Sequence, residues 1–549
     1  MNLTADDLVE SQTGAAAANG ATPAQGKSVQ RSRLQDAVAI IILLGTLAAC
    51  FSRTLFGGQS MSRIALTAEW DSLFHAFATG HSSLYDPSLV QLFAPEYFLV
   101  GKIFQQGFLP LWNPYNGFGC PLVGDIQASI FSPLRLFFNM NPSIESWNFM
   151  LLGELALCGV STFVLARYLK LGRIPALFAA IAYTLCPFNV WYLELNLGTA
   201  SCIFPLAFYL FARAARLRTP ISAMLAGVGS AFLILSGHPE SAFFGITFGS
   251  FFMMCLMLLD PTLTTGQISR LLSFRRAVTV AGITTVALTA PVLFPFIEYL
   301  CNSETYKYAS VCSAHVPWPG VLQHLLNPAS GGASPFTGIV TAICLPAVFL
   351  AFRKGSPYRS EAVSVLITAV IAFLIVSQIG QLEPIFSQPP LTVIITRYCL
   401  PVLLLTCPLL AAFGISELFR FDTENNKTAA TPANKTANSD SQIEADDSLN
   451  FAPPDQTSSA TADVKSTDNQ KAGLLNRIPK GIQVLICATI FALALPWLLK
   501  DNSDWLKLCS FDLMLPTPAF NSIAWKRDFI CALAVIALAV AAVLIRKQL

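Results

Sequence analysis

Three aspartates in the long segment after the first apolar stretch are candidates for acid–base chemistry. Asp71 stands in Glu-Trp-Asp-Ser, Asp86 in Leu-Tyr-Asp-Pro and Asp125 in Val-Gly-Asp-Ile-Gln. A carboxylate held at the lip of an apolar cavity can deprotonate a hydroxyl group, because partial burial raises its pKa toward the working pH. The ordinary alternatives are a solvated acid and a helix cap. The segment therefore predicts a general base and leaves open which aspartate it is.

Polar and aromatic residues close to these aspartates are candidates for substrate binding. Trp112 and Asn113 belong to the string Leu-Pro-Leu-Trp-Asn-Pro, and Gln127 follows Asp125 by two positions. A tight turn and the aromatic belt of a membrane surface are the alternatives for the first two, and a structural turn is the alternative for the Asp125–Gln127 pair.

Ionisable residues also stand at the ends of two later apolar stretches. His238 and Glu240 flank Pro239, and Arg397 opens a late stretch. Such groups can contact a lipid phosphate or complete a site. Helix capping is the alternative for His238 and Glu240, and snorkelling toward headgroups is the alternative for Arg397.

The composition predicts an all-α polytopic membrane protein. Of the 549 residues, 54% are hydrophobic and 12% are charged, and the mean hydropathy is +0.57. Repeated apolar runs are long enough to cross a bilayer, where the backbone must be helical. The net charge of +2 argues against a nucleic-acid partner. No P-loop or dinucleotide fingerprint is present, which excludes ATP-driven and dinucleotide-dependent enzymes that use those motifs.

The cysteines and the remaining histidines show no metal-like spacing. None of the 14 cysteines forms a CxxC pair. Cys301 and Cys312 share one predicted loop and are either a disulfide or two free thiols. Four further histidines fall on the same predicted face as that loop without resembling a ligand set: His75, His81, His315 and His324.

Apolar spans and basic turns together predict about 12 transmembrane helices with both termini in the cytoplasm. The first helix is expected over Ala37–Phe56 and the first extracytoplasmic loop over residues 57–146. Residues 1–34 are expected to be a disordered cytoplasmic tail, 35–420 the main transmembrane domain, 421–477 a disordered cytoplasmic linker, and 478–549 the C-terminal transmembrane helices. The intramembrane acids Glu154 and Glu194 are expected to make helix–helix or interface contacts.

Several strings resemble the YfhO family of bacterial membrane proteins. The resemblance rests on Phe93-Ala-Pro95, the string Gln106 to Tyr115, Gly119-Cys-Pro-Leu, Asp125-Ile-Gln127 and Phe131-Ser-Pro133-Leu. Gly237-His238-Pro239-Glu240 and Arg397-Tyr398 resemble two further signatures. The family is similar to the GT-C glycosyltransferases, which have many helices, a large first extracytoplasmic loop and a catalytic acid within it.

The resemblance implies an inverting membrane glycosyltransferase in the bacterial inner membrane. A polyprenyl-phosphate sugar would be the donor, and a cell-envelope glycan or lipid the acceptor. The family's loop acid falls most naturally on Asp86, with Asp71 a close rival and Asp125 ranked beside them. The charge on the departing phosphate would be balanced by Arg397, by His238, or by a divalent metal such as Mg²⁺ or Mn²⁺.

Two other classes of function remain alternatives. A lipid or glycan transporter or flippase would need internal repeats or several intramembrane charges, and neither is evident. A noncatalytic assembly protein of the envelope would leave the loop carboxylates dispensable, and substitution of those residues separates it from an enzyme.

Overall fold

The computed structural model describes residues 23–62, 88–261, 266–303, 321, 337–377 and 394–429. Most of these residues are helical. The helices are α1 (Pro23–Cys50), α2 (Ser52–Phe56), α3 (Ala94–Gln105), α4 (Leu136–Met140), α5 (Ile144–Tyr168), α6 (Arg173–Thr184), α7 (Pro187–Trp191), α8 (Asn196–Leu217), α9 (Pro220–Leu235), α10 (Pro239–Leu259), α11 (Gln267–Asn302), α12 (Ile339–Cys344), α13 (Arg359–Ser377) and α14 (Leu400–Ala429).

Shorter elements complete the described chain. A π-helical turn, Leu89–Phe93, leads into α3, and 3-10 turns cover Ile126–Ala128, Leu345–Phe352 and Thr396–Cys399. The strands β1 (Trp112–Asn113) and β2 (Cys120–Pro121) form a two-stranded antiparallel hairpin.

Seven helical segments among the described residues are long and apolar enough to cross a membrane. They lie in α1, α5, α8, α10 and α11, in α13, and in the 3-10 turn that continues into α14. The expected helical architecture, with several helices long and apolar enough to span a membrane, is thereby confirmed. The count of about 12 also relies on residues 478–549, which lie outside the described residues, and it stays a prediction.

Two helices extend beyond their expected boundaries. Helix α1 begins at Pro23, inside the segment expected to be a disordered tail, and ends at Cys50, so that Ser52–Phe56 form a separate helix. Ala, Gln, Lys and Arg make up half of residues 23–34 and have high helix propensity. Helix α14 continues to Ala429, past the expected linker boundary at 421. A helix that already exists lengthens without a new nucleation cost, which explains the extension.

Two carboxylates, a partly exposed Asp36 and a buried Glu361, gather the basic turns at one end of the bundle, here called the basic end. Asp36 in α1 accepts from Arg173 at 2.7 Å and lies 3.3 Å from Arg167. Glu361 in α13 lies 2.6 Å from Lys170 and 2.9 Å from Arg216. Four separate parts of the chain therefore meet at this end, as the alternation of basic turns predicts.

The opposite end, here called the loop end, carries the first-loop unit, residues 88–140. Helix α5 begins here, where the Ser143 hydroxyl accepts from the backbone N–H of Ser146 at 3.2 Å. Helix α8 begins here, and α9 turns into α10 at Gly237. Residues 88–140 of the segment expected to be a loop are therefore a folded unit that covers these helix ends.

Helix α8 is central to the bundle and packs against α5, α9 and α10. Helix α11 is attached mainly through α9. A Cβ atom on Gly227 would lie 2.5 Å from the carbonyl oxygen of Ala281, and Thr285 donates to the carbonyl oxygen of Gly227 at 3.1 Å. Glycine is therefore required where these two backbones touch.

Candidate functional site

A small apolar cluster joins α3 to the segment that carries Asp125. Its buried members are Val100, Leu122, Ala128 and Ile130. Because Glu96 lies in the first turn of α3 and Asp125 precedes the 3-10 turn, this packing brings the two carboxyl groups into one region. The first-loop unit thus has its own core, and that core positions an acid pair.

Glu96 is the acid with the more perturbed environment. It is 5% exposed, and its Oε2 has no hydrogen-bond partner among the described residues. Burial raises the pKa of Glu96 to about 7, and the nearby Asp125 carboxylate adds to this shift. A carboxyl group with this pKa is suited to accept a proton near neutral pH.

Asp125 is held by its own turn. Its Oδ1 accepts from the backbone N–H of Gln127 at 2.9 Å, which caps the 3-10 turn. Burial raises the pKa of Asp125, and this hydrogen bond partly opposes the shift. Burial raises the pKa of the Cys120 thiol, and the nearby Glu96 and Asp125 carboxylates raise it further. Asp125 is therefore both a helix cap and a member of the acid pair.

Asn196, at the start of α8, connects the first-loop unit to the bundle. Its Oδ1 accepts from Tyr97 at 2.6 Å, from Arg135 at 2.7 Å and from Ser129 at 3.2 Å. Its Nδ2 donates to the carbonyl oxygens of Gln127 at 2.7 Å and Gly237 at 3.1 Å. One buried amide thereby joins α3, the Asp125 turn, α4 and the turn before α10.

Gly237 is required at this junction for two reasons. Its φ of +88° lies in the left-handed region, and a Cβ atom there would meet Ser129 Oγ and lie 2.7 Å from Asn196 Nδ2. Ser129 also donates to the carbonyl oxygen of Ser236 at 3.0 Å. The turn that resembles a family signature is therefore in direct contact with the first-loop unit.

Arg135 is the buried cation of the junction. It is 2% exposed, and its guanidinium lies 3.5 Å from the centre of the Tyr97 ring. Burial raises the pKa of Tyr97 to about 12, so its hydroxyl stays protonated and donates to Asn196. Glu154, in α5, accepts from Thr199 of α8 at 3.1 Å. That contact joins two helices, as expected for this intramembrane acid.

His238 caps a helix. Its Nδ1 accepts from the backbone N–H of Ser241 at 3.2 Å, and its ring meets Tyr398 edge-on with centroids 4.6 Å apart. Burial lowers the pKa of His238 to about 4, and the positive charge of Arg397 also favours the neutral form. Burial therefore disfavours the charged form of His238, and its expected role in balancing phosphate charge stays a prediction. Glu240 lies 3.5 Å from His238 Nδ1.

Arg397 is an exposed cation at the loop end. It precedes α14 in a 3-10 turn, and its guanidinium lies 5.3 Å from the centre of the Tyr398 ring. Through Tyr398 and His238, it neighbours the turn that contacts Asn196. The structure thus brings Asp125, Gln127, His238, Glu240 and Arg397 to one end of the bundle.

Trp112 and Asn113 lie in the hairpin, where their side chains maintain its shape. Asn113 Oδ1 accepts from the backbone N–H of Tyr115 at 2.9 Å. The Trp112 ring covers Gly119, whose Cβ position would be 2.7 Å from the indole. Asn113 therefore acts as a turn residue, and the half-exposed Trp112 faces outward.

Some expected residues lie outside the described residues. These are Asp71 and Asp86, the histidines His75, His81, His315 and His324, and Cys312, the possible partner of Cys301. Among the described residues, no three His, Cys, Asp or Glu side chains are grouped as a metal site. Glu96 and Asp125 are hard oxygen donors of the kind that Mg²⁺ and Mn²⁺ take together with substrate phosphates.

Sequence reasoning missed Glu96, Tyr97, Arg135 and Asn196. Glu96 directly follows the string Phe93-Ala-Pro95, and Arg135 directly follows Phe131-Ser-Pro133-Leu, so both were adjacent to noted motifs. Asn196 had no such signal. No model of a known protein family matches the chain, and no curated protein matches it. The resemblance to the YfhO family therefore rests on the quoted strings.

Proposed function

We propose that this protein is a GT-C-like membrane glycosyltransferase. It transfers a sugar from a polyprenyl-phosphate donor to a glycan or lipid of the cell envelope, on the extracytoplasmic face of the bacterial inner membrane. The observation that carries the proposal is the Glu96–Asp125 acid pair, positioned at the loop end by a folded unit. The resemblance to the YfhO family supports the same reading.

The acid pair suits an inverting displacement. The acceptor hydroxyl oxygen attacks the anomeric carbon, and the bond from that carbon to the phosphate oxygen breaks. The lipid phosphate leaves with the bonding electrons, and the hydroxyl proton passes to a carboxylate. A pKa of about 7 at Glu96 keeps a useful fraction of this group ionised at neutral pH and makes it a competent acceptor. Asp125, Asp86 and Asp71 are the other candidates for this role.

A fixed cation is needed where the phosphate departs. Arg397 supplies a permanent charge at the loop end, whereas burial disfavours the charged form of His238. Guanidinium groups bind phosphate oxygens through two parallel hydrogen bonds. In this proposal, Arg397 binds the phosphate of the leaving group, and His238 orients the turn before α10. A divalent metal, where one binds, would share the task of neutralising phosphate charge.

The distribution of charge supports an extracytoplasmic site. Arg167, Lys170, Arg173 and Arg216 meet at the basic end, opposite the acid pair. Basic residues favour the cytoplasmic side of short membrane loops. The loop end then faces away from the cytoplasm. On that outer side, polyprenyl-phosphate sugars serve as donors for enzymes that lack access to nucleotide sugars.

The test is sugar transfer by the purified full-length protein in lipid nanodiscs. Radiolabelled polyprenyl-phosphate sugars are offered with envelope fractions, and wild type is compared with Glu96→Gln, Asp125→Asn, Asp86→Asn and Asp71→Asn. Glu145→Gln is the matched control, because Glu145 is an exposed acid at the same end. Loss of the base should lower transfer by about 10²–10⁴-fold. Equal transfer by all variants refutes a carboxylate base, and lipid movement without transfer by wild type favours a transporter.

A further inference from the structure

The hairpin of the first-loop unit has an uncharged and outward-facing apolar surface. We call residues 107–121 the apolar hairpin. No charged residue occurs between Lys102 and Asp125. The exposed large side chains are Phe108, Leu109, Leu111, Trp112, Tyr115 and Phe118, of which Tyr115 is 84% exposed and Phe118 fully exposed. A contiguous apolar surface of this kind normally contacts another apolar phase.

The backbone holds these side chains outward. Gly117, Phe118 and Gly119 all have positive φ, at 55°, 66° and 109°. A phenylalanine rarely adopts this conformation, which Gly and Asn tolerate better. The Asn113 side chain and the contact of Trp112 with Gly119 fix the rest of the turn. The tip position thus holds Phe118, although its backbone conformation and its exposure to water both disfavour a Phe side chain there.

Helix α11 gives the level of the apolar hairpin relative to the bilayer. The last basic residue of α11 is Arg276, and about 20 residues cross the hydrocarbon core, so the core ends near Phe296. Gly124 lies against α11: a Cβ atom added to it would be 3.4 Å from the carbonyl oxygen of Pro295 and 3.5 Å from the Cβ atom of Tyr299. The base of the hairpin therefore lies at the edge of the hydrocarbon core.

Most exposed side chains of α11 at this level are also apolar, and the exposed Glu298 lies two residues beyond the expected end of the hydrocarbon core. Phe294, Ile297 and Tyr299 are 61%, 46% and 50% exposed on a helix with few buried residues. In a membrane this exposed side faces acyl chains. The apolar hairpin is thus adjacent to a surface that already contacts lipid, and its Trp and Tyr side chains are the types enriched at membrane interfaces.

We propose that the apolar hairpin inserts into the leaflet at the loop end, at the boundary between headgroups and acyl chains. Its partner is the phospholipid bilayer itself. Since the hairpin carries no charge, apolar burial drives the contact, and anionic headgroups contribute little. The hairpin thereby fixes the level, relative to the membrane, of Asp125, which follows it in the chain, and so of the acid pair.

The test is labelling of the full-length protein in phosphatidylcholine nanodiscs with two photoactivated reagents. One diazirine is carried on a phospholipid acyl chain near the headgroup, and the other is water-soluble. Labelled peptides are located by mass spectrometry, with α11 peptides as the positive control for lipid labelling. The lipid reagent should label the hairpin peptide, and the yield should not change when NaCl rises from 0.1 M to 1 M or when anionic lipid is added.

Phe118 provides the matched pair of variants. Phe118→Asp should lower lipid labelling of the hairpin about tenfold, because burial of a Phe side chain shifts an equilibrium by at least that factor. Phe118→Leu should retain it. Asp tolerates a positive φ better than Phe does, so misfolding of the turn is not the expected cause. Hairpin labelling by the water-soluble reagent alone overturns the proposal, as does protection from both reagents, which would indicate a contact with protein.

Discussion

Replacing Asn196 with Ala should release the first-loop unit from the bundle. The change removes five hydrogen bonds, of which the one from Ser129 is replaced by its bond to the carbonyl oxygen of Ser236. Tyr97, Arg135 and the carbonyl oxygens of Gln127 and Gly237 then lose their contact with Asn196. At about 1 kcal/mol for each of these four bonds, the free energy that holds the first-loop unit closed falls by about 4 kcal/mol. This corresponds to a roughly 10³-fold higher population of the open unit.

Hydrogen–deuterium exchange in nanodiscs measures this opening directly. Peptides from residues 94–140 should exchange about 10³-fold faster in Asn196→Ala, while peptides from the interior of α5 and α10 stay protected. Asn189→Ala is the control, because Asn189 is equally buried but bonds Ser201 and the carbonyl oxygen of Tyr183 within the bundle. It should leave the first-loop unit protected. Less than tenfold faster exchange of residues 94–140 in Asn196→Ala would refute the reasoning.

Three further predictions use thermal unfolding followed with a thiol-reactive dye, which reports exposure of the buried cysteines. Burial raises the pKa of Glu96 from 4.5 to about 7, so the stability contributed by this group is complete below pH 4.5 and lost as pH rises through about 7. Wild type should lose stability over this window relative to Glu96→Gln, and parallel pH curves would contradict the shift. Glu361→Gln leaves two cations without their shared acceptor and should cost about 3 kcal/mol. Asp36→Asn, at a more exposed pair, should cost less than about 1 kcal/mol, and the opposite order would contradict the burial argument. Gly227→Ala should cost about 1–3 kcal/mol by separating α9 from α11. Gly282→Ala, on the open side of α11, should cost nothing, and equal losses in both would refute the close approach.

Sequence patterns predicted the class of the protein and the grouping of several loop-end residues. Apolar length and basic turns are local signals, and they sufficed for the spans in α5, α8, α10 and α11. The motif at Asp125 and the turn at His238 were both identified, and the structure places them in contact through Asn196. The roles within the group were harder to predict, because the charge of His238 depends on burial that the sequence does not display.

The junction at Asn196 could not be predicted from the sequence. Its partners are 61 residues away at Arg135 and 99 residues away at Tyr97, and no periodicity connects such positions. Glu96 appears from the sequence as an ordinary acid in the first turn of a helix, where negative charge is common. Only the packing of the first-loop unit shows that it is buried beside Asp125. The helical residues 23–34 and 421–429 were missed because their composition is polar.

The position of Asn196 in the chain also affects how the protein is made. Ser129 contacts the carbonyl oxygen of a residue 107 positions later, and Arg135 contacts Asn196 only after α5, α6 and α7 have been synthesised. At about 5–20 residues per second, the first-loop unit waits roughly 5–20 seconds for its last attachment. Arg135 waits for a shorter part of this interval, until Asn196, 61 residues later, has been synthesised. Attachment of the first-loop unit therefore waits for the synthesis of α9, and it reports that the helices up to α9 have reached their places.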